Sequence, residues 1–218
     1  MKKEHCMGER YIGCARSEGH LILEGTPGNA MGAYLDGADI TLYGNAQDAT
    51  GDTMNSGCIT IYGNIGDAAG YAMRGGSIYV RGDAGYRAGI HMKAYKDKLP
   101  VLVIGGRCGS FLGEYQAGGL ILVLGLGYED TVPVGNFCGT GMHGGKIFLR
   151  TSRLPADLPR QVESKEAKEE DLAEIEPYVN TFCDKFGIDR EEVMKGPFFV
   201  LQANSKNPYH QLLSLIHI

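Results

Sequence analysis

The densest group of charged and polar side chains in the sequence lies between residues 74 and 93. Its members are Arg74, Arg81, Asp83, Arg87, His91 and Lys93. Guanidinium and ammonium groups bind carboxylates and phosphates, so this group could face the acidic side chains of a partner or an anionic cofactor. The same side chains could instead be solvated or paired with Asp67 and Asp83, because surface ion pairs are common and contribute little to stability. We identify the six residues as a candidate partner interface.

No catalytic residue is predicted. His91 and His143 both follow glycine-rich turns, but no carboxylate is spaced to orient either imidazole as a general base. The sequence shows no local signature of an activated Cys or Ser nucleophile. Glycoside hydrolysis normally uses paired carboxylates, and the Asp residues of the central segment do not share one repeat position. A carbohydrate-active enzyme is therefore disfavoured.

The segment Gly139-Thr-Gly-Met-His-Gly144 matches the G-x-G-x-x-G pattern of dinucleotide-binding loops. That pattern binds a pyrophosphate only when a strand precedes it and a helix begins on it. Here the apolar alternation follows the motif, which favours a turn. We predict no cofactor bound by this chain.

Six cysteines are scattered through the chain without a Cys-x-x-Cys pair, at positions 6, 14, 58, 108, 138 and 183. Zinc and iron–sulfur sites use clustered spacings, so no metal site is predicted. The chain opens without a signal peptide and contains no apolar run long enough to span a membrane, which favours a cytoplasmic protein with reduced thiols. Net charge is −5 and no basic stripe appears, so neither a nucleic acid nor a membrane is an expected partner.

A repeat must position these side chains. The same short pattern, alternating apolar residues followed by a glycine or small residue, occurs seven times, and in six copies a glycine or alanine precedes it. The copies are 19–25, 38–44, 57–63, 76–82, 99–105, 119–125 and 145–151. Their ends are separated by 19, 19, 19, 23, 20 and 26 residues, so insertions lie outside the repeated frame, around residues 94–98 and 128–133.

A period near 20 residues with two-residue apolar alternation predicts a solenoid of short strands. The fixed Leu and Asn framework of a leucine-rich repeat is absent, which leaves a parallel β-helix of about seven coils. Glycines three to four residues apart would form the corners. A valine at Gly63 should be severely destabilising if that corner needs a positive φ.

We expect three segments: a lead-in or cap over 1–18, the β-helix over 19–153, and a linker with a helical cap or tail over 154–218. The last segment is acidic, with 12 acidic and 6 basic residues over 155–195. Its helical face is formed by Leu172, Ile175, Val179, Phe182 and Phe186.

Local signals divide the last segment further. Pro177 is expected to split the helical run from about Ser164 into two helices. Gly187 should end the second helix and Asp189 should begin a short third one. Phe198–Leu201 is predicted to be a strand or extended segment. The apolar end Leu212–Ile218 either docks somewhere or is not native.

The run from Asp52 to Lys93 resembles the glycine-rich C-terminal domain of the glutamate synthase large subunit, called domain 3, and the resemblance covers roughly residues 19–151. The same repeat family includes one of the subunits of formylmethanofuran dehydrogenase. The resemblance implies a right-handed parallel β-helix that braces the glutaminase and FMN/iron–sulfur synthase domains. The nucleophilic N-terminal Cys of the amidotransferase is not present, because Cys6 is not residue 2.

The resemblance implies a non-catalytic scaffold subunit, with glutaminase-like and FMN-dependent synthase-like partner chains that carry the FMN and iron–sulfur clusters. The chain alone is then expected to show no activity, and a homo-oligomer is possible. Two alternatives stay open. One is a scaffold in a formylmethanofuran-dehydrogenase-type molybdenum or tungsten complex, and the other is an independent ligand-binding β-helix that uses the surface from Arg74 to Lys93.

Overall fold

The computed structural model describes residues 2–204 and contains ten strands and two helices. The strands are β1 (Lys2–Met7), β2 (His20–Thr26), β3 (Asp36–Gly44), β4 (Ser56–Ile61), β5 (Ser77–Val80), β6 (Val101–Ile104), β7 (Ala117–Val123), β8 (Gly144–Arg150), β9 (Val162–Glu166) and β10 (Phe198–Ala203). The helices are α1 (Glu169–Phe186) and α2 (Arg190–Met194).

Strands β1 to β8 pair in chain order and in parallel, so they form the ladder of a parallel β-solenoid. Each of the seven predicted strands overlaps one of β2 to β8, which confirms the predicted fold class. Residues 2–7, expected to belong to a lead-in, form β1 and extend the ladder by one parallel strand.

The interior is built from stacked aliphatic side chains. One inward row, read from the strand register, is Leu21, Ile40, Ile59, Ile78, Leu102, Ile121 and Ile147. A second is Leu23, Leu42, Ile61, Val80, Ile104, Val123 and Leu149. Leu21 is 5% exposed and every other member is 0% exposed. Each coil therefore places like residues on like, and the core runs along the solenoid without interruption.

Glycines at the corners are needed for two different reasons. Gly113 has φ +65°, and a Cβ there would lie 2.7 Å from Cδ1 of Ile147, so both backbone conformation and space favour glycine. Gly63 does not adopt a positive φ. A positive φ is therefore not the reason why valine would be unfavourable at this position. A Cβ on Gly63 would instead lie 2.6 Å from the carbonyl oxygen of Gly44 on the previous coil. Close approach of the backbones restricts this position.

The C-terminal part closes the ladder and covers one face. β10 pairs antiparallel with β8 and with β9, so parallel growth stops at β8. α1 buries Ile175, Val179, Phe182 and Phe186 against the outer face of the sheet. No helix within residues 2–204 combines the length and apolar composition needed to cross a bilayer.

Two expectations for this part were wrong. The run around Pro177 is one helix, because its apolar face packs continuously on the sheet and outweighs the single backbone hydrogen bond that proline removes. The helix does not begin near Ser164, because residues 162–166 form β9, a charged edge strand without an apolar alternation. The helix start at Asp189 and the strand at Phe198 are confirmed. Leu212–Ile218 lie outside the described residues.

Candidate partner interface

The six residues of the candidate interface are distributed around the solenoid. Arg81 directly follows β5 and lies beside Tyr62, which occupies the equivalent position of the preceding coil. Desolvation raises the pKa of the Tyr62 phenol, and the positive charge of Arg81 opposes that shift. Arg81 therefore belongs to the flat outer face, whereas the other five residues lie at the corners.

Asp83 is part of a ladder of Asn and Asp side chains at one corner. The backbone N–H of Asp83 donates to Oδ1 of Asn64 at 2.8 Å, and Oδ1 of Asp83 accepts from the N–H of Arg107 at 2.9 Å. Asn64 in turn donates its N–H to Oδ1 of Asn45 at 2.8 Å. Each side chain thus satisfies a backbone donor of the next coil, which gives Asp83 a structural role.

Asp83 also binds the insertion around residues 128–133. The repeat spacing predicted the position of this insertion but not its contacts. The Tyr128 hydroxyl donates to Oδ2 of Asp83 at 2.9 Å, and the Arg107 guanidinium lies 4.8 Å from the Tyr128 ring centroid. This hydrogen bond to a carboxylate raises the pKa of Tyr128. An open groove of about 400 Å³ lies beside these residues, with Ser110 and Val132 in its lining. Its polar groups are largely engaged with one another.

Arg87 starts a stack of side chains at a second corner. Its Nε donates to Oε2 of Glu114 at 3.0 Å, and its guanidinium lies 4.7 Å from the centroid of Phe111. Phe111 stacks on Phe137 at 5.1 Å. Arg87, Phe111 and Phe137 occupy equivalent positions on successive coils, and all three adopt positive φ. Ala68 on the preceding coil does the same. The charge of Arg87 is therefore neutralised within the chain.

His91 belongs to a second row of stacked side chains, four residues after the row that contains Arg87. Its ring stacks on Tyr115 with centroids 5.2 Å apart and meets Tyr71 edge-on at 5.9 Å. The imidazole of His91 therefore packs against two tyrosine rings. Nδ1 of His143 donates to the carbonyl oxygen of Gly141 at 3.1 Å, its only side-chain hydrogen bond among the described residues.

Arg74 and Lys93 are the two candidate residues that the structure brings together. They occupy equivalent corner positions on neighbouring coils, because Arg74 N–H donates to Met54 O at 2.8 Å and Lys93 N–H donates to Met73 O at 3.0 Å. Both side chains are exposed. Within residues 2–204 neither side chain has a hydrogen bond or ion pair.

The buried thiols are poor nucleophiles. Cys6, Cys108, Cys138 and Cys183 are buried, and no cysteine of the described chain is in a disulfide. Burial raises the pKa of Cys138 to about 12 and that of Cys108 well above its usual range. Both are protonated at neutral pH and shielded from reagents. Among the described residues, no three His, Cys, Asp or Glu side chains are grouped to hold a metal ion.

The G-x-G-x-x-G segment forms a corner that leads into β8, and no helix begins on it. Gly139 and Gly141 adopt positive φ, of 74° and 71°. The buried side chain of Gln116 lies next to this corner and donates from Nε2 to the carbonyl of Gly119 at 3.1 Å. Its Oε1 has no partner among the described residues. Sequence reasoning missed Gln116, since nothing local distinguishes it from a surface glutamine.

Two comparisons place the chain among known proteins. The family model described as the GXGXG motif matches residues 5–199. An uncharacterized protein of Methanocaldococcus jannaschii is 44% identical over 217 residues, covering 96% of this chain and 83% of that protein. The matched range includes the end of β1, strands β2 to β9, both helices and the start of β10.

Proposed function

The chain belongs to the GXGXG motif family, and from this premise we propose that it is a non-catalytic scaffold subunit of a glutamate-synthase-type complex. In that complex separate glutaminase-like and FMN-dependent synthase-like chains carry the reactions, the FMN and the iron–sulfur clusters. This chain holds those partners in a fixed relative position.

The observation that carries the proposal is how the polar corner groups are used. Asn45, Asn64 and Asp83 accept backbone N–H groups of the following coil, and Asp48 and Asp67 do the same one corner away. These carboxylate and amide side chains, which could act in catalysis on another β-helix, instead form hydrogen bonds between neighbouring coils. This is the arrangement expected of a rigid support.

Rigidity also follows from the core. Eight parallel strands at about 4.8 Å spacing extend over about 35 Å. Every coil contributes buried aliphatic residues to the same interior, so a local bend would break stacking on both neighbouring coils. A rod of this kind keeps two attached partners at a constant separation.

Co-expression tests the proposal. The chain is produced alone and together with glutaminase-like and FMN-synthase-like chains of the same genome. We expect one complex in gel filtration, with glutamate formed from glutamine and 2-oxoglutarate by the complex only. The variant Ile61→Asp should abolish assembly, because it destroys the solenoid.

Three results would overturn the proposal. The isolated chain could turn over these substrates, the partner chains could reach the full rate without it, or it could co-elute instead with the pterin-binding chain of a molybdenum or tungsten enzyme. The last result would transfer the scaffold role to the formylmethanofuran-dehydrogenase type.

A further inference from the structure

We propose that the corner formed by Arg74, Lys93 and the insertion 94–98 binds an acidic polypeptide segment of a partner chain. The inference rests on the scaffold function proposed above, since it names one surface through which a partner docks and the chemistry of the segment that it takes.

Arg74 and Lys93 are like charges on neighbouring rungs of a parallel ladder. The backbone hydrogen bonds that join these rungs place their α-carbons about 4.8 Å apart. Like charges directly opposite each other on neighbouring strands reduce stability. Among the described residues, no carboxylate pairs with Arg74 or Lys93 to offset this repulsion. An anionic partner would relieve it.

The insertion adds further positive charge at the same corner. Tyr95 and Lys98 pair as an antiparallel bridge, so the insertion folds back on itself. It lies directly over Gly75, where a Cβ would come 2.9 Å from Cβ of Lys98. Lys98 Nζ then reaches Oδ1 of Asp36, at the start of β3, at 3.4 Å. The ammonium group of Lys96 lies 5.3 Å from the Tyr95 ring centroid.

The local charge balance is positive in a chain that is acidic overall. The cations of the corner and insertion are Arg74, Lys93, Lys96 and Lys98, and the carboxylates there are Asp36 and Asp97. A hydrogen bond from Ser56 and the charge of Lys98 lower the pKa of Asp36, so that carboxylate stays ionised. The corner therefore carries a net charge of +2 against −5 for the whole sequence.

The extent of the cationic corner favours a polypeptide over a nucleic acid. The same ladder position holds Asn55 on the coil before Arg74 and Ala117 on the coil after Lys93. The positive charge is thus confined to two rungs and one insertion, whereas a polyanion would require a longer basic stripe. Carboxylates on one face of an extended segment lie about 7 Å apart, within reach of two flexible cations on adjacent rungs.

A labelled deca-glutamate peptide provides the probe. Its binding is measured by fluorescence anisotropy at low salt for the wild type, for Arg74→Glu/Lys93→Glu, and for the matched control Arg153→Glu/Arg160→Glu. The control changes the net charge equally at two exposed arginines outside the corner. We expect affinity to fall by about tenfold or more for the corner variant and to match the wild type for the control. High salt should abolish the difference.

The melting temperature separates loss of binding from loss of folding. It should be equal to or above the wild-type value for the corner variant, because the substitutions remove no buried contact. Equal loss of affinity in both variants, or no binding of the peptide by the wild type, would overturn the inference. Tighter binding of a short DNA duplex than of the peptide, lost in the corner variant, would overturn the choice of a polypeptide.

The co-expressed complex distinguishes this inference from the proposed function. If the corner variant assembles with both partner chains as well as the wild type does, the docking surface is wrong and the scaffold role stands. If the peptide binds through the corner but the wild type forms no complex with those chains, the scaffold role is wrong and the acidic-segment site stands.

Discussion

The two halves of the flat outer face share an interior but differ on the outside. The central outward row reads Ile22, Thr41, Thr60, Tyr79, Val103, Leu122 and Phe148 along successive strands. From Thr60 onward every member is buried, and Tyr79, Val103, Leu122 and Phe148 pack with the C-terminal elements. Thr41 is partly exposed, and the neighbouring Tyr43 is 49% exposed. Among the described residues, the C-terminal elements cover the part from β4 to β8 and leave β2 and β3 open.

The sequences of the strands indicate which of them are covered. Strands β6 and β7 contain the runs Val-Leu-Val-Ile and Leu-Ile-Leu-Val, apolar on both faces, as expected of strands buried on both sides. β3 contains Asp-Ile-Thr-Leu-Tyr, which alternates and indicates one solvated face. α1 crosses from Lys146, which pairs with Glu174, to Tyr62, whose hydroxyl donates to the carbonyl of Lys185 at 2.9 Å.

The largest effects should be the same in both halves, because the inner rows are continuous. Ile59→Asp and Ile121→Asp each place an unpaired carboxylate at a position that is 0% exposed. Each should cost more than about 4 kcal/mol and unfold the chain, as measured by circular dichroism and urea titration. Ile59→Leu is the conservative control. A folded Ile59→Asp protein beside an unfolded Ile121→Asp protein would show that the interior is not one cooperative unit.

The outer faces should respond unequally to truncation. Phe148→Ala in the covered half should cost about 3–5 kcal/mol, because its ring is 0% exposed and no water replaces its contacts. Thr41→Ala in the open half removes one exposed hydrogen bond, with His20 at 2.8 Å, and should cost less than about 1 kcal/mol. Urea midpoints measure both. Comparable losses would mean that β3 is covered as well.

Helix α1, which covers the outer face, should be stabilised by replacing Pro177. This residue is exposed and lies inside α1, where it cannot donate a backbone hydrogen bond. Pro177→Ala should raise the free energy of unfolding by about 1–3 kcal/mol. Thermal unfolding checks it, with Ala173→Ser as an exposed control on the same helix. A destabilised Pro177→Ala protein would contradict the continuous helix.

Most of the fold could be predicted because its rule is local. Ile40, Ile59 and Ile78 recur with the same neighbours, so periodicity alone located the rungs and the stacking order. β9 and the undivided α1 could not be found in this way, because both depend on tertiary pairing. Lys165 lies in an exposed charged strand that forms only against β10. Pro177 is tolerated only because the sheet beneath α1 holds the helix together.

The candidate interface was predicted less well for a geometric reason. The six residues were grouped because they are close in sequence, but the solenoid distributes them over the outer face and several corners. Side chains become neighbours when they are separated by one repeat. Arg74 and Lys93 are 19 residues apart, the unmodified repeat length, and they are neighbours. Lys98 joins them through an insertion whose direction no periodicity specifies.

A modest, pH-dependent effect concerns how α1 is attached to the sheet edge. Asp171 at the start of α1 accepts from Lys165 Nζ of β9 at 2.8 Å and from the backbone N–H of Lys168 at 3.1 Å. The hydrogen bond from Lys165 is the main cause that lowers the pKa of Asp171. A lowered folded-state pKa contributes stability above the unfolded value of about 3.9, and that stability is lost as the pH falls through the folded-state pKa. Asp171→Asn should therefore cost about 1 kcal/mol at neutral pH, with wild-type and variant curves converging below about pH 4. Urea titrations across this range measure the difference, and a constant offset down to the lowest pH would show that the carboxylate charge does not hold α1 in place.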